Sequence, residues 1–327
     1  MHKIKDLQNF IKSEIKEEIG RLNKMEPRNL YEPIAYTLDM GGKRLRPVMV
    51  LLACNLFTDQ INKAYPAALA IEVFHNFTLL HDDIMDQADV RRNCPTVHKK
   101  YNPNIAILSG DAMSIMAYNY LLRSESQNLA GMFHLFSQTA LEVCEGQQLD
   151  MDFETRTDVS IDEYLKMIRL KTAVLLACSL KMGALSTNAK DEIANLLYSF
   201  GINLGIAFQL QDDLMDVFGD QKTFGKMIGN DIVSNKKTFL LLKALELSQG
   251  DTKDELLEWT GKKEFNSDEK IKSVKDIYNK LDISNITSAN IESYYQSALN
   301  TVDQMDLPLP AKAVLRDLAL MIMQRDH

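Results

Sequence analysis

The stretch AYPAALAIEVFHNFTLLHDDIMD, Ala64 to Asp86, decides the fold class. Ala, Leu, Ile, Val and Phe dominate it, and nothing after Pro66 breaks the chain before its acidic end. Such a run reads as a long helix. The rest of the chain is written in the same way. Of 327 residues 46% are hydrophobic, while Gly (14) and Pro (8) are sparse, a balance that favours long helices over many short strands. The same reading predicts helices over 1–24, 48–57, 110–122, 128–153, 161–185, 190–217, 236–248, 287–303 and 310–324. Gly41-Gly42 is a break, 91–104 a loop marked by Asn93, Pro95, Asn102 and Pro103, and 249–272 a polar, exposed and loosely ordered insertion. With no solenoid-period repeat and no low-complexity tract, one all-α domain over 1–327 is the economical expectation.

A net charge of -8 offers no basic field for nucleic acid. Cys54, Cys94, Cys144 and Cys178 form no CxxC pair, so a reducing, cytoplasmic home is expected. The charged N-terminus does not read as a signal peptide. Apolar runs such as Val48–Cys54 fall short of a membrane span, so no transmembrane segment is expected.

Two acidic clusters carry chemistry. Asp82 and Asp86 stand one helical turn apart and project from one face, where like charges repel. The pattern returns 130 positions later as Asp212-Asp213-Leu214-Met215-Asp216, again after an apolar run. One DDxxD is as readily an acidic surface turn. Two, each embedded in apolar sequence, are hard to read as solvated surface; facing each other across a cavity, they would bind hard divalent cations through oxygen. Mg2+ suits that role, completing its shell with water and substrate phosphate. Basic residues then acquire a purpose: Arg91-Arg92 after the first cluster, Lys226 and Lys236 after the second, and Gly41-Gly42-Lys43-Arg44-Leu45-Arg46-Pro47 as a third candidate phosphate site. The set suits two diphosphates.

Ordered landmarks extend the pattern: GGKRLRP (41–47), ExxH (72–75), LLHDDIMD (79–86), RR with PTVH (91–98), GD (110–111), GQQLD (146–150), KTA (171–173), FQLQDDLMD (208–216), GK (225–226), ND (230–231) and NKKT (235–238). In order and spacing the sequence resembles the trans-isoprenyl diphosphate synthase (polyprenyl synthase) family from about residue 39 to 240. The resemblance implies an all-α helical bundle around a deep central cavity, a homodimer, and an enzyme joining isopentenyl diphosphate to an allylic diphosphate with Mg2+, three ions per active site. It implies Asp82, Asp86 and Asp212 as metal ligands. Asp83 and Asp216 would support them directly or through water, and Asp213 joins the same catalytic set. Arg91, Lys171, Lys226 and Lys236 would hold the allylic diphosphate, while Gly42, Lys43, Arg46, His75 and Arg92 would hold isopentenyl diphosphate. Thr172 and Gln209 would line the region where the allylic cation forms. Asn93 and Asn102 replace glycines common in the family, a change of loop geometry more than of charge.

Product length is read from the helix before the first cluster. Phe77 lies five residues and Thr78 four before Asp82, a rise of ~7.5 Å for five residues. By the resemblance an aromatic at Phe77 marks a short-chain synthase, here C15 or C20, with Phe74 narrowing the path further. Both rings can equally be ordinary core residues. A longer-chain synthase remains an alternative. So does a class I terpene cyclase, for which Asn230-Asp231 begins a second metal motif that Thr238 does not complete. A di-iron bundle would need a second ExxH, and a non-catalytic partner subunit would be expected to lack the aspartates.

Overall fold

Helix Tyr65–Met85 is buried on every side from Ala67 through Phe74, as an all-round apolar helix must be. The computed structural model describes residues 1–219 and 228–324, so Lys226 lies outside the described residues. The fold is all-α: long helices such as Ile4–Leu22, Pro103–Leu121, Leu129–Thr155, Asp191–Phe218 and Ile283–Gln304 account for most of it. Among the described residues the sheet is a single two-stranded hairpin, Val90–Arg91 against Cys94–Pro95.

Two compact units divide the chain, one of 1–137 with 178–198 and one of 138–177 with 199 onward. In the first, the Phe74 ring lies 5.3 Å from Phe136, which packs edge-on against Tyr118 at 4.9 Å. Burying an aromatic of this size is worth about 2–3 kcal/mol. In the second, Gly201 and Gly205, one turn apart, sit directly on Ala177 and Ala173, where a Cβ on either glycine would fall 2.5–2.6 Å from backbone. That seam lays the second half of Asp191–Phe218 against the segment carrying Lys171 and Thr172.

Several boundaries differ from expectation for local reasons. Residues 91–104 are not a plain loop. They hold the hairpin, a short turn of helix at Val97–Lys100, and the start of Pro103–Leu121. Asn102 caps that helix by accepting the Ile105 N–H at 2.9 Å, with Pro103 in its first turn, the roles these residues fill at helix starts. The stretch 161–185 is interrupted by a π-helical turn, Arg169–Ala173. The segment 249–272 is ordered, not loose. It holds helix Gly250–Gly261 and the start of Ser267–Lys280; most of its side chains are exposed, but Leu256 is buried in a core with Leu240, Val274 and Tyr278. Helix Asp191–Phe218 is long and apolar enough to cross a membrane by length and composition, a case the apolar-run count missed, yet 56% of that window is buried.

Candidate functional site

In the first unit the GGKRLRP turn is built from left-handed backbone at Gly41, Gly42 and Arg44. Arg44 is buried, and its guanidinium pairs with the buried Glu72 and donates to the Leu38 carbonyl. Asn76 donates to Glu72 as well, at 2.8 Å. This fixes the turn that presents Lys43, which is exposed, and Arg46. Arg46 donates to His75 Nε2 at 3.0 Å. Burial and the neighbouring Arg46, Arg92, Arg91 and Arg44 hold the His75 pKa well below the usual range, so the ring is a neutral acceptor. Burial also pushes Arg46 down to about 10, still charged at neutral pH.

The hairpin brings the two arginines to this turn. Its two central residues, Arg92 and Asn93, are left-handed (φ 53 and 61), the geometry that matches strand twist in two-residue turns. Asn93 tolerates it where a glycine is usual; at Arg92 the conformation costs about 1 kcal/mol. Arg92 then donates to the Gly41 carbonyl, with its guanidinium over Gly42. Arg91 turns the other way and donates through Nε to both Asp83 oxygens at 2.8 Å, with Asp82 Oδ2 3.5 Å from Nη2. Burial opposes both charges. It prevails at Asp83, whose pKa sits above the ordinary carboxylate range. At Arg91 burial is the largest single influence, but the Asp83 hydrogen bond and the charges of Asp83, Asp82 and Asp86 together outweigh it and the pKa is raised.

The first cluster therefore splits by position. Asp83 is buried and committed to Arg91, Asp82 keeps 20% of its side chain exposed, and Asp86 is exposed at the helix end, its N–H on the Asp82 carbonyl. His81 Nε2 lies 3.3 Å from the Ile107 carbonyl, a backbone role. Phe74 is a core residue at 2% exposure, whereas Phe77 and Thr78 are only partly buried. Phe77 stacks edge-on with His81 at 4.8 Å.

The second unit repeats the split. Asp213 is buried, accepting from the Tyr164 hydroxyl and from Gln209 Nε2 at 3.0 Å. Burial pushes its pKa up to about 6, against the pull of Lys236. Asp216 Oδ2 accepts the Asp231 N–H at 3.0 Å, while Asp212 is less buried than either. Gln209 Oε1 also accepts from Thr172 at 3.0 Å, and Lys171 donates to Asp150 at 2.5 Å. Lys171 and Thr172 ride on the π-helical turn, a distortion common at functional sites. Lys236 Nζ is 4.0 Å from Asp231. Sequence reading gave no role to Tyr164, to the Arg44–Glu72 pair or to Asp150 as the partner of Lys171. Glu72 carried a signal as half of ExxH; Tyr164, one aromatic on an amphipathic helix, carried none.

The polyprenyl synthetase family pattern matches residues 27–279. A geranylgeranyl diphosphate synthase of Sulfolobus acidocaldarius is 38% identical over 317 residues, 95% of this chain and 93% of its own. A crystal structure of a geranylgeranyl pyrophosphate synthase is 46% identical and superposes with a TM-score of 0.94 over 100% of both chains. The geranylgeranyl pyrophosphate synthetase of Pyrococcus horikoshii is 33% identical, TM-score 0.90, over 99% and 98% of the two chains. With its ordered motifs on an all-α frame and a match spanning most of its length, this chain belongs to the polyprenyl synthetase family.

Proposed function

We propose that the protein is a short-chain trans-prenyltransferase that condenses isopentenyl diphosphate with an allylic diphosphate and releases pyrophosphate, with a C20 product favoured over C15 by the names its relatives carry. The observation that carries the reading is the split within each acidic cluster. One aspartate of each is a buried anchor, Asp83 bonded to Arg91 and Asp213 to Tyr164, while Asp82, Asp86 and Asp212 are more exposed and are assigned to Mg2+. The donor set fits that ion. It is all carboxylate oxygen, the ligand type Mg2+ takes when water and substrate phosphate complete its shell. When bound, the three proposed ions supply charge neutralisation and orientation for the departing pyrophosphate.

The chain's own residues do the rest. Arg91, Lys171 and Lys236 hold the allylic diphosphate, with Lys226 assigned on sequence alone. Lys43, Arg46, Arg92 and the Gly42 turn hold isopentenyl diphosphate, and neutral His75 orients Arg46. Thr172 and Gln209, hydrogen-bonded to one another, offer oxygen dipoles to developing positive charge. Apolar helix walls keep water from a cation it would trap. Ile107, Leu108 and Ile115 are exposed apolar residues on one side of Pro103–Leu121, with the exposed Asp111 among them, a mixed surface compatible with the homodimer expected of the family. A cytoplasmic location accords with the cysteine spacing, which contains no CxxC pair.

The test is product mass after incubation with isopentenyl diphosphate, Mg2+ and starters of increasing length; no incorporation with any starter sinks the proposal. In the same assay Phe77→Ala is expected to lengthen the product by one or more isoprene units, since Phe77 is the partly exposed ring of the pair. An unchanged distribution would show that Phe77 is core and nothing more.

A further inference from the structure

Lys270 belongs to the segment that reads in sequence as a solvated insertion, yet it has 0% exposure. Its ammonium donates to the Asn235 side-chain oxygen at 2.7 Å and to the Val233 carbonyl at 3.2 Å, and lies 4.1 Å from the Phe265 ring centroid. Both acceptors are neutral, and no carboxylate among the described residues pairs with it. A buried ammonium without a counter-charge is a poor way to stabilise a core, since a methionine of similar length would fill the space without desolvating a charge. What the ammonium provides is a fixed point for the 233–235 backbone.

That backbone is the approach to Lys236. Asn235 is left-handed (φ 54) and is gripped from two sides: its Nδ2 donates to the Thr260 carbonyl at 3.1 Å while its oxygen accepts from Lys270. Helices Gly250–Gly261 and Ser267–Lys280 therefore hold one residue between them. The next residue's N–H goes to the Asp231 carbonyl at 2.9 Å, and the Asp231 N–H goes to Asp216 Oδ2 at 3.0 Å. Ile271, beside Lys270, packs on Gly229 so closely that a Cβ there would fall 2.8 Å from it, and the Gly229 N–H goes to the Asp216 carbonyl. Adjacent residues of helix Ser267–Lys280 thus touch both ends of the 229–235 segment, which holds the short helix Asn230–Val233.

We infer that Lys270 is a positioning residue for the reaction: with Thr260 it clamps Asn235 in its left-handed turn, and so sets Lys236 where it meets the allylic diphosphate beside Asp216. This rests on the proposed role of Lys236. The measurement is the Michaelis constant for each substrate in Lys270→Met, Asn235→Gly, Lys236→Ala and the Lys236→Ala/Lys270→Met double variant, with helicity by circular dichroism. Asn235→Gly keeps the left-handed backbone and removes only the grip, so it carries the test should Lys270→Met not fold. Expected is a rise of about tenfold or more in KM for the allylic diphosphate in Lys270→Met and Asn235→Gly, with KM for isopentenyl diphosphate within about twofold. In the Lys236→Ala background the Lys270 effect should vanish. A folded Lys270→Met or Asn235→Gly with unchanged allylic KM overturns the clamp, as does an equal effect with and without Lys236. If Lys236→Ala itself leaves the allylic KM unchanged, the assignment of Lys236 is what fails, and the clamp loses its purpose with it.

Discussion

Replacing Asp82 or Asp212 by alanine is expected to lower turnover on the order of a thousandfold, about 4 kcal/mol of transition-state stabilisation, with the fold intact. The fold survives because neither residue is the inward anchor of its cluster. Asp83 keeps its two bonds to Arg91 in Asp82→Ala, and Asp213 keeps Tyr164 and Gln209 in Asp212→Ala. The contrasting variant is Asp83→Ala. It strips a partly buried guanidinium of its main partner and frees the hairpin that carries Arg91 and Arg92, so melting temperature should fall along with activity. Turnover with saturating Mg2+ and thermal melts on all three variants make the comparison. A melting point lowered as far by Asp82→Ala as by Asp83→Ala would remove the division of labour on which the proposed function rests.

The second large effect is expected at Gly146, which no chemistry singles out. A Cβ there would fall 2.3 Å from the Lys171 nitrogen and 2.7 Å from its Cα, backbone atoms that cannot step aside as a flexible side-chain end can. Helix Leu129–Thr155 thus presses directly on the π-helical turn bearing Lys171 and Thr172. Gly146→Ala is expected to cost about 1–3 kcal/mol in stability and, by moving Lys171 about an ångström, to reduce kcat roughly a hundredfold. Gly20→Ala is the matched control: a Cβ there meets nothing within 4 Å, so it should be neutral or slightly stabilising. Melts and kcat for both variants check the prediction; a Gly146→Ala enzyme with wild-type kcat would mean the turn accommodates the methyl without moving Lys171.

Much of this was legible in the chain alone. The helix ending in Asp82–Asp86 could be read because its apolar run is long and unbroken, and both clusters because like charges at one-turn spacing are costly unless something binds them. The start of Pro103–Leu121 was not, because Asn and Pro mark loops and helix beginnings alike. The π-helical turn was invisible, since Arg169–Ala173 has ordinary helical composition and the close approach of Gly146 to its backbone is a tertiary contact. Lys270 was hidden for a different reason: a lysine in a polar, charged stretch reads as solvated, and only the tertiary path of 229–235 brings acceptors over it. Asp83 and Asp213 were grouped with their neighbours because adjacent aspartates look alike on paper; only the tertiary contacts with Arg91 and Tyr164 tell them apart.

That inequality among adjacent aspartates also fixes how such a chain would decay. Were a duplicate copy released from catalysis, Asp82, Asp86 and Asp212 would drift freely, while Asp83 and Asp213 would still be held by the cost of stranding Arg91 and Tyr164. A relic that kept the second aspartate of each motif, with Asp216 still holding the Asp231 N–H, would be a former enzyme still using its old anchors to stay folded.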